Sequence, residues 1–549
     1  MYLGIDVGGT FTDAVIITEG QVVNQAKVPT NHEDVFTCIV EALDKVLVGI
    51  DTRSMDRVVL SSTIVTNALT ENKVAPVFLA VMTGPGMNVE GKFPVKPYYV
   101  SGYVDHRGKI TGQLDWSKHQ DLLNKKGSGV CAVSGKFAVR QPQNEYLLAH
   151  ELKKCGYKKA FLGSELSGEL NFVRRTNSAY FSAAVYQLCK RFAERVHLAL
   201  TQRNIYAPVH ILKADGGTLP LELALEQPVE AVFTGPAASV LGIEALSAPQ
   251  VKSISLDIGG TTTDIAFWEN GMPLMAKRGA DINGYHTAVK AFHMRSVGIG
   301  GDSRIIKKVA GYQVGPEREG PAAALGGSRA TLSDALITAG YVSFGSKEKA
   351  VAAIAELGSN PLTEAKLIVA AAVKKITCTI EEMLAEWAKQ PVYTVDDVIR
   401  GTEFIPQQLI GVGGGSLGLV KAVGEAMDLP VDIPVGAMVA NAIGAAVARP
   451  TLVAGLRADT TENYYVIPES GRREKLPRPF NQKIAEKILA AWLHEQAVGW
   501  QLPEQETEVI SCEKFRTIHD YTSVGDIYNL RMQLKPGILY KVCGREVLL

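Results

Sequence analysis

One short pattern, Asp-x-Gly-Gly-Thr-x-Thr-Asp, occurs twice in this chain and constrains its fold more than any other feature. Residues 3–20 read LGIDVGGTFTDAVIITEG, and residues 254–271 read ISLDIGGTTTDIAFWENG. Seven of the 18 aligned positions are identical, at a constant offset of 251 residues and without a gap. Solenoid repeats recur about every 20–50 residues. So large an offset instead predicts two copies of one α/β unit.

Each copy places Gly-Gly-Thr between two apolar runs, at 2–7 and 14–17 in the first and at 251–258 and 265–268 in the second. A strand, a glycine turn and a second strand predict a β-hairpin, because glycine adopts the backbone angles that tight turns need. Helical patterns cover residues 31–47, 176–202 and 363–388. Strands mixed with helices of this length indicate an α/β architecture.

A third glycine cluster, GVGGGS at 411–416, lies between an apolar run at 408–412 and a helical pattern at 417–427. A glycine-rich turn that opens a helix presents free backbone N–H groups and is typical of a nucleotide-facing loop. Residues 437–448 are nearly all small and follow a helical period. We expect this second segment to be a helix that packs very closely on another element.

Phosphate groups require backbone N–H donors at close range, and glycine lets the main chain approach them. Threonine hydroxyls beside the glycines add further donors. Asp6 and Asp257 follow buried strands, where a carboxylate can hold the water molecules of a hydrated Mg²⁺. Two facing hairpins would clasp a triphosphate, with the third glycine loop at the adenosine end. The candidate cofactor-binding residues are Gly8, Gly9, Thr10, Thr12, Asp13, Gly259, Gly260, Thr261, Thr262, Asp264, Gly413, Gly414 and Gly415.

Several other polar residues have two interpretations. Asp13 and Asp264 either take part in the chemistry or stabilise a turn through backbone hydrogen bonds. His286 and His293, seven residues apart, are either metal ligands on one helix face or ordinary histidines at the core edge. Asp302 either faces the cleft or caps a loop. Two further segments are predicted to be structural, a turn at 215–218 and a solvated basic loop at 472–478.

The balance of 57 Lys+Arg against 57 Asp+Glu gives no support to a nucleic-acid or anionic-membrane partner. The N-terminus has no basic segment followed by an apolar one, and no apolar run approaches the roughly 18–20 residues of a membrane span. The seven cysteines are scattered and lack a C-x-x-C spacing, which is typical of reduced thiols. We therefore expect a cytoplasmic protein that acts on a small molecule.

Ordered motifs along residues 1–450 resemble the hydantoinase A / 5-oxoprolinase family, within the sugar kinase, Hsp70 and actin superfamily. The resemblance implies an α/β fold with two RNase H-like (actin-like ATPase) lobes around a nucleotide cleft, followed by a small C-terminal extension. The motifs are IDVGGTFTD at 5–13, TNAL at 66–69, SGKFAVR at 134–140, DGGT at 215–218, GPAAS at 235–239, DIGGTTTD at 257–264, VGIGGDS at 297–303, LSDA at 332–335 and GVGGGS at 411–416.

This resemblance also implies a function. The family uses ATP and Mg²⁺ to open a cyclic amide (a hydantoin, 5-oxoproline or a lactam) by phosphorylating the amide oxygen. The resemblance implies that Asp6 and Asp257 are catalytic and position Mg²⁺. It also implies a second, hydantoinase B-like subunit. The alternatives are the ATP-using subunit of a ketone carboxylase, as in the acetone carboxylase branch, a small-molecule kinase, and a non-enzymatic actin-like ATP-binding switch.

The expected domains are an N-terminal lobe at 1–207, a second ATPase lobe at 208–450 and a C-terminal extension of unknown role at 451–549. Two motifs depart from the family pattern. The chain has Ser61-Ser62-Thr63-Ile64 where the family has H-G-T-T, and Gly300-Gly301-Asp302-Ser303 where it has G-G-G-S. Both lie in motifs expected near the substrate and outside the phosphate loops. The resemblance therefore indicates ATP binding more directly than it indicates a substrate.

Overall fold

The computed structural model describes residues 1–31, 34–124, 127–247, 249–309, 311–389, 403–519 and 521–544. In chain order the strands are β1 (Tyr2–Val7), β2 (Phe11–Thr18), β3 (Gln21–Pro29), β4 (Arg57–Ser62), β5 (Phe78–Met82), β6 (Tyr98–Tyr99), β7 (Tyr103–Val104), β8 (Ile110–Gly112), β9 (Val130–Gly135), β10 (Lys159–Leu162), β11 (Val209–Leu212), β12 (Thr218–Pro220), β13 (Ser253–Ile258), β14 (Thr263–Glu269), β15 (Met272–Pro273), β16 (Asp281–Ile282), β17 (Tyr285–His286), β18 (Met294–Val297), β19 (Ser303–Lys308), β20 (Gly311–Arg318), β21 (Gln408–Val412), β22 (Val431–Asp432), β23 (Val453–Asp459), β24 (Tyr464–Ile467), β25 (Arg472–Lys475), β26 (Thr507–His519) and β27 (Thr522–Leu534).

The helices begin and end close to the limits that the sequence pattern predicts. The helix predicted at 176–202 runs from Phe172 to Thr201. Asn171 caps it, because its side chain accepts a hydrogen bond from the Arg174 N–H. The predicted segment at 31–47 includes residues 32 and 33, which lie outside the described residues. The helices are α1 (Val35–Val46), α2 (Ile64–Thr70), α3 (Gln120–Leu123), α4 (Gln143–Lys154), α5 (Gly163–Leu166), α6 (Phe172–Thr201), α7 (Leu221–Ala224), α8 (Thr234–Leu246), α9 (Leu332–Ala339), α10 (Lys347–Ala355), α11 (Pro361–Ala388), α12 (Ser416–Met427), α13 (Ala440–Val447) and α14 (Gln482–Gly499).

The first lobe is built on a six-stranded sheet of order β12-β11-β4-β1-β2-β3. Strands β1 to β3 form an antiparallel meander, whereas β4 and β11 run parallel to β1. Between β4 and β11 the chain inserts a second sheet of order β10-β9-β5-β6, all parallel. Because β1, β4 and β11 are parallel, their carboxyl ends meet at one edge, which carries the first glycine hairpin.

The second lobe repeats this plan. Its sheet has the order β15-β14-β13-β21-β22, and β18 also pairs with β14. Strands β13 and β14 form the second glycine hairpin, and β21 runs parallel to β13 as β4 does to β1. Helices α9, α11 and α12 cover it with a separate buried core. The prediction of two copies of one α/β unit is confirmed.

Helix α13 packs at very short range on strand β1 and on helix α8. A Cβ added at Gly4 would lie 2.1 Å from the Ala442 carbonyl oxygen, and one at Gly444 would lie 2.1 Å from the Ala238 carbonyl oxygen. Only residues without a bulky side chain fit at such separations. The small-residue segment at 437–448 is therefore a close-packing element, as predicted.

The C-terminal unit is a five-stranded sheet of order β25-β24-β23-β27-β26 that packs on α14. The prediction of a loop at 472–478 is wrong in part, since Arg472–Lys475 forms the edge strand β25. Its side chains are exposed, and charged side chains are a common protection of a sheet edge. No helix in the described ranges is long and apolar enough to cross a membrane.

The predicted limit between residues 207 and 208 does not coincide with a limit of the first sheet. Strand β11 pairs with β4, and β12 pairs with β11, so the first sheet continues to Pro220. At the other end of the chain, the Cys543 N–H donates to the Gly20 carbonyl oxygen at 2.9 Å. We therefore propose that the first unit extends through β12 and that residues after β27 return to pack on it.

Candidate nucleotide site

The two glycine hairpins face each other directly. A Cβ added at Gly260 would lie 2.5 Å from Thr10 Oγ1, so the turns are in contact. Both hairpins close in the same way: the Gly8 N–H donates to the Phe11 carbonyl at 3.0 Å, and the Gly259 N–H donates to the Thr262 carbonyl at 2.9 Å. The repeated sequence thus produces repeated backbone geometry, and the two turns lie together at one cleft.

Two more glycine loops support the second hairpin. The Gly415 N–H donates to the Ile258 carbonyl at 2.8 Å, and Gly413 has a φ of +88°, with its added Cβ at 2.4 Å from Asp257 Oδ1. On the other side, the Gly301 N–H donates to the Gly259 carbonyl at 2.9 Å. The structure therefore brings the third glycine cluster to the cleft, with Gly414 exposed.

Asp6 and Asp257 lie at the ends of β1 and β13 and are only 4% and 9% exposed. Burial, together with repulsion from Asp13 and Asp257, raises the pKa of Asp6 to about 7, against a hydrogen bond from Ser61. Within the part of the chain that the structure describes, Asp6 Oδ1 is buried without a hydrogen-bond partner. Burial also raises the pKa of Asp257. The cleft therefore concentrates carboxylates that lack compensating positive charge.

Asn441 on α13 joins the two hairpins. Its Nδ2 donates to Asp257 Oδ2 at 3.0 Å, and its side chain lowers the pKa of Asp6 against the effect of burial. The sequence analysis missed this residue. The available signal was one polar side chain inside an otherwise small and apolar helix, since a polar residue in such a position requires a hydrogen-bond partner.

The second aspartates differ in their partners. Both oxygens of Asp13 accept from Lys27 Nζ at 2.8 Å, and Lys27 also donates to the Met438 carbonyl at 3.3 Å. Asp264 has a pKa raised to about 7 by burial and by the charge of Asp257, against a hydrogen bond from Ser296. Lys27 was missed by the sequence analysis because it lies 14 residues beyond Asp13, on the third strand of the meander.

The threonines fall into two groups. Thr10, Thr261 and Thr262 lie in the turns, where Thr261 is partly exposed and Thr262 exposed. Thr12 is fully buried, and its hydroxyl lies 3.0 Å from the Thr30 hydroxyl. Its counterpart Thr263 is equally buried and donates to the Ile299 carbonyl at 2.7 Å. The inner threonine of each copy therefore bonds within its own lobe.

Several other candidates lie elsewhere. His286 ends the short strand β17 and His293 packs between Phe267 and Trp387, so the two do not share a helix face, and the interpretation as ordinary histidines at the core edge fits. Asp302 accepts from Arg318 Nε at 2.9 Å while its N–H donates to the Gly260 carbonyl at 2.7 Å, which ties it to the second hairpin. Across the described ranges, no three His, Cys, Asp or Glu side chains converge as a metal cluster.

Two family models match this chain. Hydantoinase/oxoprolinase matches residues 175–453, and its N-terminal region matches residues 2–156. Among curated relatives, the caprolactamase subunit alpha of Pseudomonas jessenii is 24% identical over 383 residues, which is 62% of this chain and 55% of that protein. The chain spans between 22% and 55% of the length of the first curated relatives that it matches.

Two solved structures share the fold. An ATP-dependent caprolactamase from Pseudomonas jessenii aligns with a TM-score of 0.68 at 19% identity, covering 100% of this chain and 89% of that one. A nucleotide-free acetone carboxylase aligns with a TM-score of 0.67 at 15% identity, covering 98% and 87%. With two RNase H-like lobes of the actin-like ATPase type around the cleft, this chain belongs to the hydantoinase/oxoprolinase family.

Proposed function

We propose that this chain binds ATP between its two glycine hairpins and uses it to open a cyclic amide: a hydantoin, 5-oxoproline or a lactam. The observation that carries the proposal is the direct contact of the two hairpins, each of which ends in a buried aspartate beside Asn441. Family membership supports an enzyme that acts on such amides. The backbone of Gly9, Thr10, Gly260 and Thr261 would face the phosphates, and Gly413 to Gly415 would lie toward the adenosine.

The residues of the cleft fit a hydrated Mg²⁺. Mg²⁺ keeps several water ligands and binds proteins through one or two carboxylates, which agrees with a site built without a larger ligand cluster. The buried, unpartnered Oδ1 of Asp6 is an available acceptor for such a water molecule. Asp6 and Asp257 would hold the ion, which when bound supplies positive charge to the phosphates.

ATP is required in this scheme because an amide carbonyl is a poor electrophile. Transfer of the γ-phosphoryl group to the amide oxygen gives an imidate phosphate. Attack of water on its carbon, followed by C–N cleavage, opens the ring and leaves an acyl phosphate, which a second water molecule hydrolyses to the carboxylate and inorganic phosphate. The chain must hold the amide oxygen in line with the phosphoryl group and stabilise the developing charge. One of the two aspartates would also orient the nucleophile.

We assign supporting roles to the residues that face away from the cleft. Thr12 and Thr263 would hold the turns through their buried hydrogen bonds. Asp13 would fix Lys27 near the third glycine loop, since a Cβ added at Gly414 would lie 3.9 Å from Lys27 Cε. Lys27 then provides a positive charge at the nucleotide side of the first hairpin.

A second candidate is the ATP-using subunit of a ketone carboxylase. The fold resembles acetone carboxylase as closely as caprolactamase, with TM-scores of 0.67 and 0.68. The curated caprolactamase relative is named as a subunit, which supports a partner chain for the amide-opening reaction. We propose a hydantoinase B-like partner for the amide-opening reaction.

The test is phosphate release by the purified chain, with and without a hydantoinase B-like partner, over a panel of hydantoins, lactams and ketones. Substrate-stimulated release with ring opening supports the amide reaction, whereas dependence on bicarbonate supports carboxylation. Nucleotide binding without stimulation by any substrate would favour an ATP-binding switch. Asp44→Asn is the matched control for Asp6→Asn, because the Asp44 side chain is exposed on α1 and its ion-pair partner among the described residues is Arg203, far from the cleft.

A further inference from the structure

A second cavity of about 320 Å³ lies between the first lobe and the C-terminal unit. It shares no residue with the proposed nucleotide site, so a ligand could bind here whether or not ATP binds in the cleft. Its walls come from the turn after β11, from the segment before β18, from α14 and from β27. Pockets of roughly 300–1,000 Å³ are typical of small-molecule sites.

Lys290 lines this cavity and lacks a counterion. Its Nζ donates to the neutral side-chain oxygen of Gln533 at 3.1 Å, and no described carboxylate lies within ion-pair distance of it. Burial lowers the pKa of Lys290 to about 8, with repulsion from Arg531 the largest charge effect. A partly buried ammonium in this state gains free energy from any anion that reaches it.

Arg531 supplies a second positive charge beside Lys290. It is two residues from Gln533 on β27, so the two side chains share one face of the strand. Its Nη1 contacts Glu169 Oε1 at 2.5 Å, while its Nε is buried without a hydrogen-bond partner among the described residues. The guanidinium therefore has donor capacity left for a ligand.

The acidic residues around the cavity are mostly engaged by other groups. Asp215 pairs with Lys213 at 3.0 Å, and Glu226 pairs with Lys159 at 2.7 Å. Glu469 accepts the N–H groups of Gly168 and Gly455 at 3.0 and 3.1 Å. Glu230 lies 3.9 Å from Lys213, and burial raises its pKa to about 7. Burial also raises the pKa of Glu165, against a hydrogen bond with Tyr146. Among the basic residues of the wall, Lys290 is thus the one that has no carboxylate within ion-pair distance among the described residues.

The cavity wall also has apolar side chains, which favour an organic anion over an inorganic one. Trp492 and Trp500 of the C-terminal unit and Leu223 and Leu452 line the same cavity. Aromatic and aliphatic walls favour an apolar body, because contact removes nonpolar surface from water. An inorganic anion would leave this surface unused.

We propose that this cavity binds a small organic carboxylate, whose carboxylate group contacts Lys290 and Arg531 and whose apolar body packs against Trp492 and Trp500. Lys290 comes from the segment before β18 and Arg531, Trp492 and Trp500 come from the C-terminal unit, so the ligand contacts both. This gives residues 451–549 a binding role that the nucleotide cleft does not require.

The test uses calorimetry on the full chain with benzoate and cyclohexanecarboxylate as probes, and with their uncharged amides and inorganic phosphate as comparisons. We expect both carboxylates to bind at least tenfold more tightly than their amides and than phosphate. Lys290→Met should weaken carboxylate binding at least tenfold, and Lys290→Arg should retain it. The exposed Lys421→Met on α12 is the matched control and should bind like the original chain. Equal affinity for carboxylate and amide, or for carboxylate and phosphate, would overturn the proposal.

A second measurement needs no variant. An amine-directed acylating reagent, followed by mass spectrometry, reports the labelling rate of each lysine in the unmodified chain. Benzoate should slow labelling of Lys290 severalfold and leave that of Lys421 unchanged, whereas equal rates with and without benzoate would contradict the site. Binding of MgATP to Lys290→Met, measured in parallel, keeps a failure of this site distinguishable from a failure of the proposed function.

Discussion

The two glycine hairpins share one backbone geometry and differ in charge. Opposite Asp13, strand β3 supplies Lys27; opposite Asp264, strand β18 supplies Ser296. The first pair is an ion pair at 2.8 Å, whereas burial and the charge of Asp257 raise the pKa of Asp264 to about 7. Burial raises the pKa of Asp13 as well, against the charge of Lys27. One residue on a neighbouring strand therefore separates the second aspartate that has an ion-pair partner from the one that has none.

The repeat therefore dictates the turn, and the neighbouring strand dictates the charge beside its second aspartate. The first hairpin brings Lys27 to the cleft. The second hairpin has two carboxylates, Asp257 and Asp264; Asn441 donates to Asp257, and the charge of Lys27 lowers the pKa of Asp257 against the effect of burial. We expect an added cation, Mg²⁺ in the proposed function, to change the second hairpin more than the first.

The largest effect should come from Asp6→Asn, which removes a carboxylate proposed to hold Mg²⁺. Loss of a group that acts directly on the reacting centre costs roughly 10²–10⁴-fold in rate. We expect a fall of that size in substrate-stimulated phosphate release, and a smaller fall for Asp264→Asn, because Asp264 is not one of the two aspartates proposed to hold the ion. Equal losses of phosphate release in the two variants would contradict the proposal that Asp6 holds the ion and Asp264 does not.

Lys27→Met should destabilise the fold by leaving Asp13 buried without its partner. Breaking a buried ion pair by removing one member costs about 3–5 kcal/mol, and the partial exposure of Lys27 places the expected loss at the lower end. Chemical denaturation measures it. Lys421→Met serves as the control, and a loss no larger than in that control would show that the pair is unimportant.

The stability of the metal-free chain should fall as the pH rises from about 4 to about 7. In the native state, burial raises the pKa of Asp6 and of Asp264 to about 7, well above the ordinary aspartate pKa of 3.8. The unfolded state therefore loses its protons first, and the native state is penalised progressively until both groups have ionised in it. One pKa unit corresponds to about 1.4 kcal/mol.

Denaturation at a series of pH values, with a chelator present, tests this dependence. Ser296→Lys should reduce the fall, because it gives Asp264 the counterion that Asp13 has. Added Mg²⁺ should also reduce it. A stability that is constant or rises over this range would contradict the description of the second hairpin.

Gly260→Ala should push the two turns apart, since the new Cβ would lie 2.5 Å from Thr10 Oγ1. Overpacking of this kind costs roughly 1–3 kcal/mol. We expect weaker ATP binding in a direct titration. Gly499→Ala, where an added Cβ meets nothing within 4 Å, is the matched control. Unchanged affinity in Gly260→Ala would show that the contact between the turns is not needed.

The smallest effect should come from Thr12→Val. The Thr12 hydroxyl bonds only inside the first lobe, so its loss should cost about 1 kcal/mol of stability and leave ATP affinity unchanged. Thr10→Val, in the turn itself, is the comparison. A large fall in ATP affinity for Thr12→Val would contradict this and would indicate that the Thr12 hydroxyl takes part in nucleotide binding.

The sequence was sufficient to predict the duplicated hairpins and the α/β class, because a period-two strand and a glycine turn are local signals. It did not identify Asn441, since its partner Asp257 is 184 residues away and only the packing of α13 between the lobes joins them. The limit at 207/208 stays a prediction, and the proposal that the first unit extends through β12 rests on pairing between β4 and β11, which are far apart in the sequence. The sequence left two interpretations of His286 and His293 open, because very short strands carry no periodicity.

The central claim is that both hairpins bind one nucleotide. A crystal structure of the chain with Mg²⁺ and a non-hydrolysable ATP analogue tests it most directly. The account predicts a triphosphate between the turns at Gly8–Thr10 and Gly259–Thr261, with a hydrated ion between the phosphates and the carboxylates of Asp6 and Asp257. A nucleotide bound outside this cleft, or held by one hairpin alone, would contradict it.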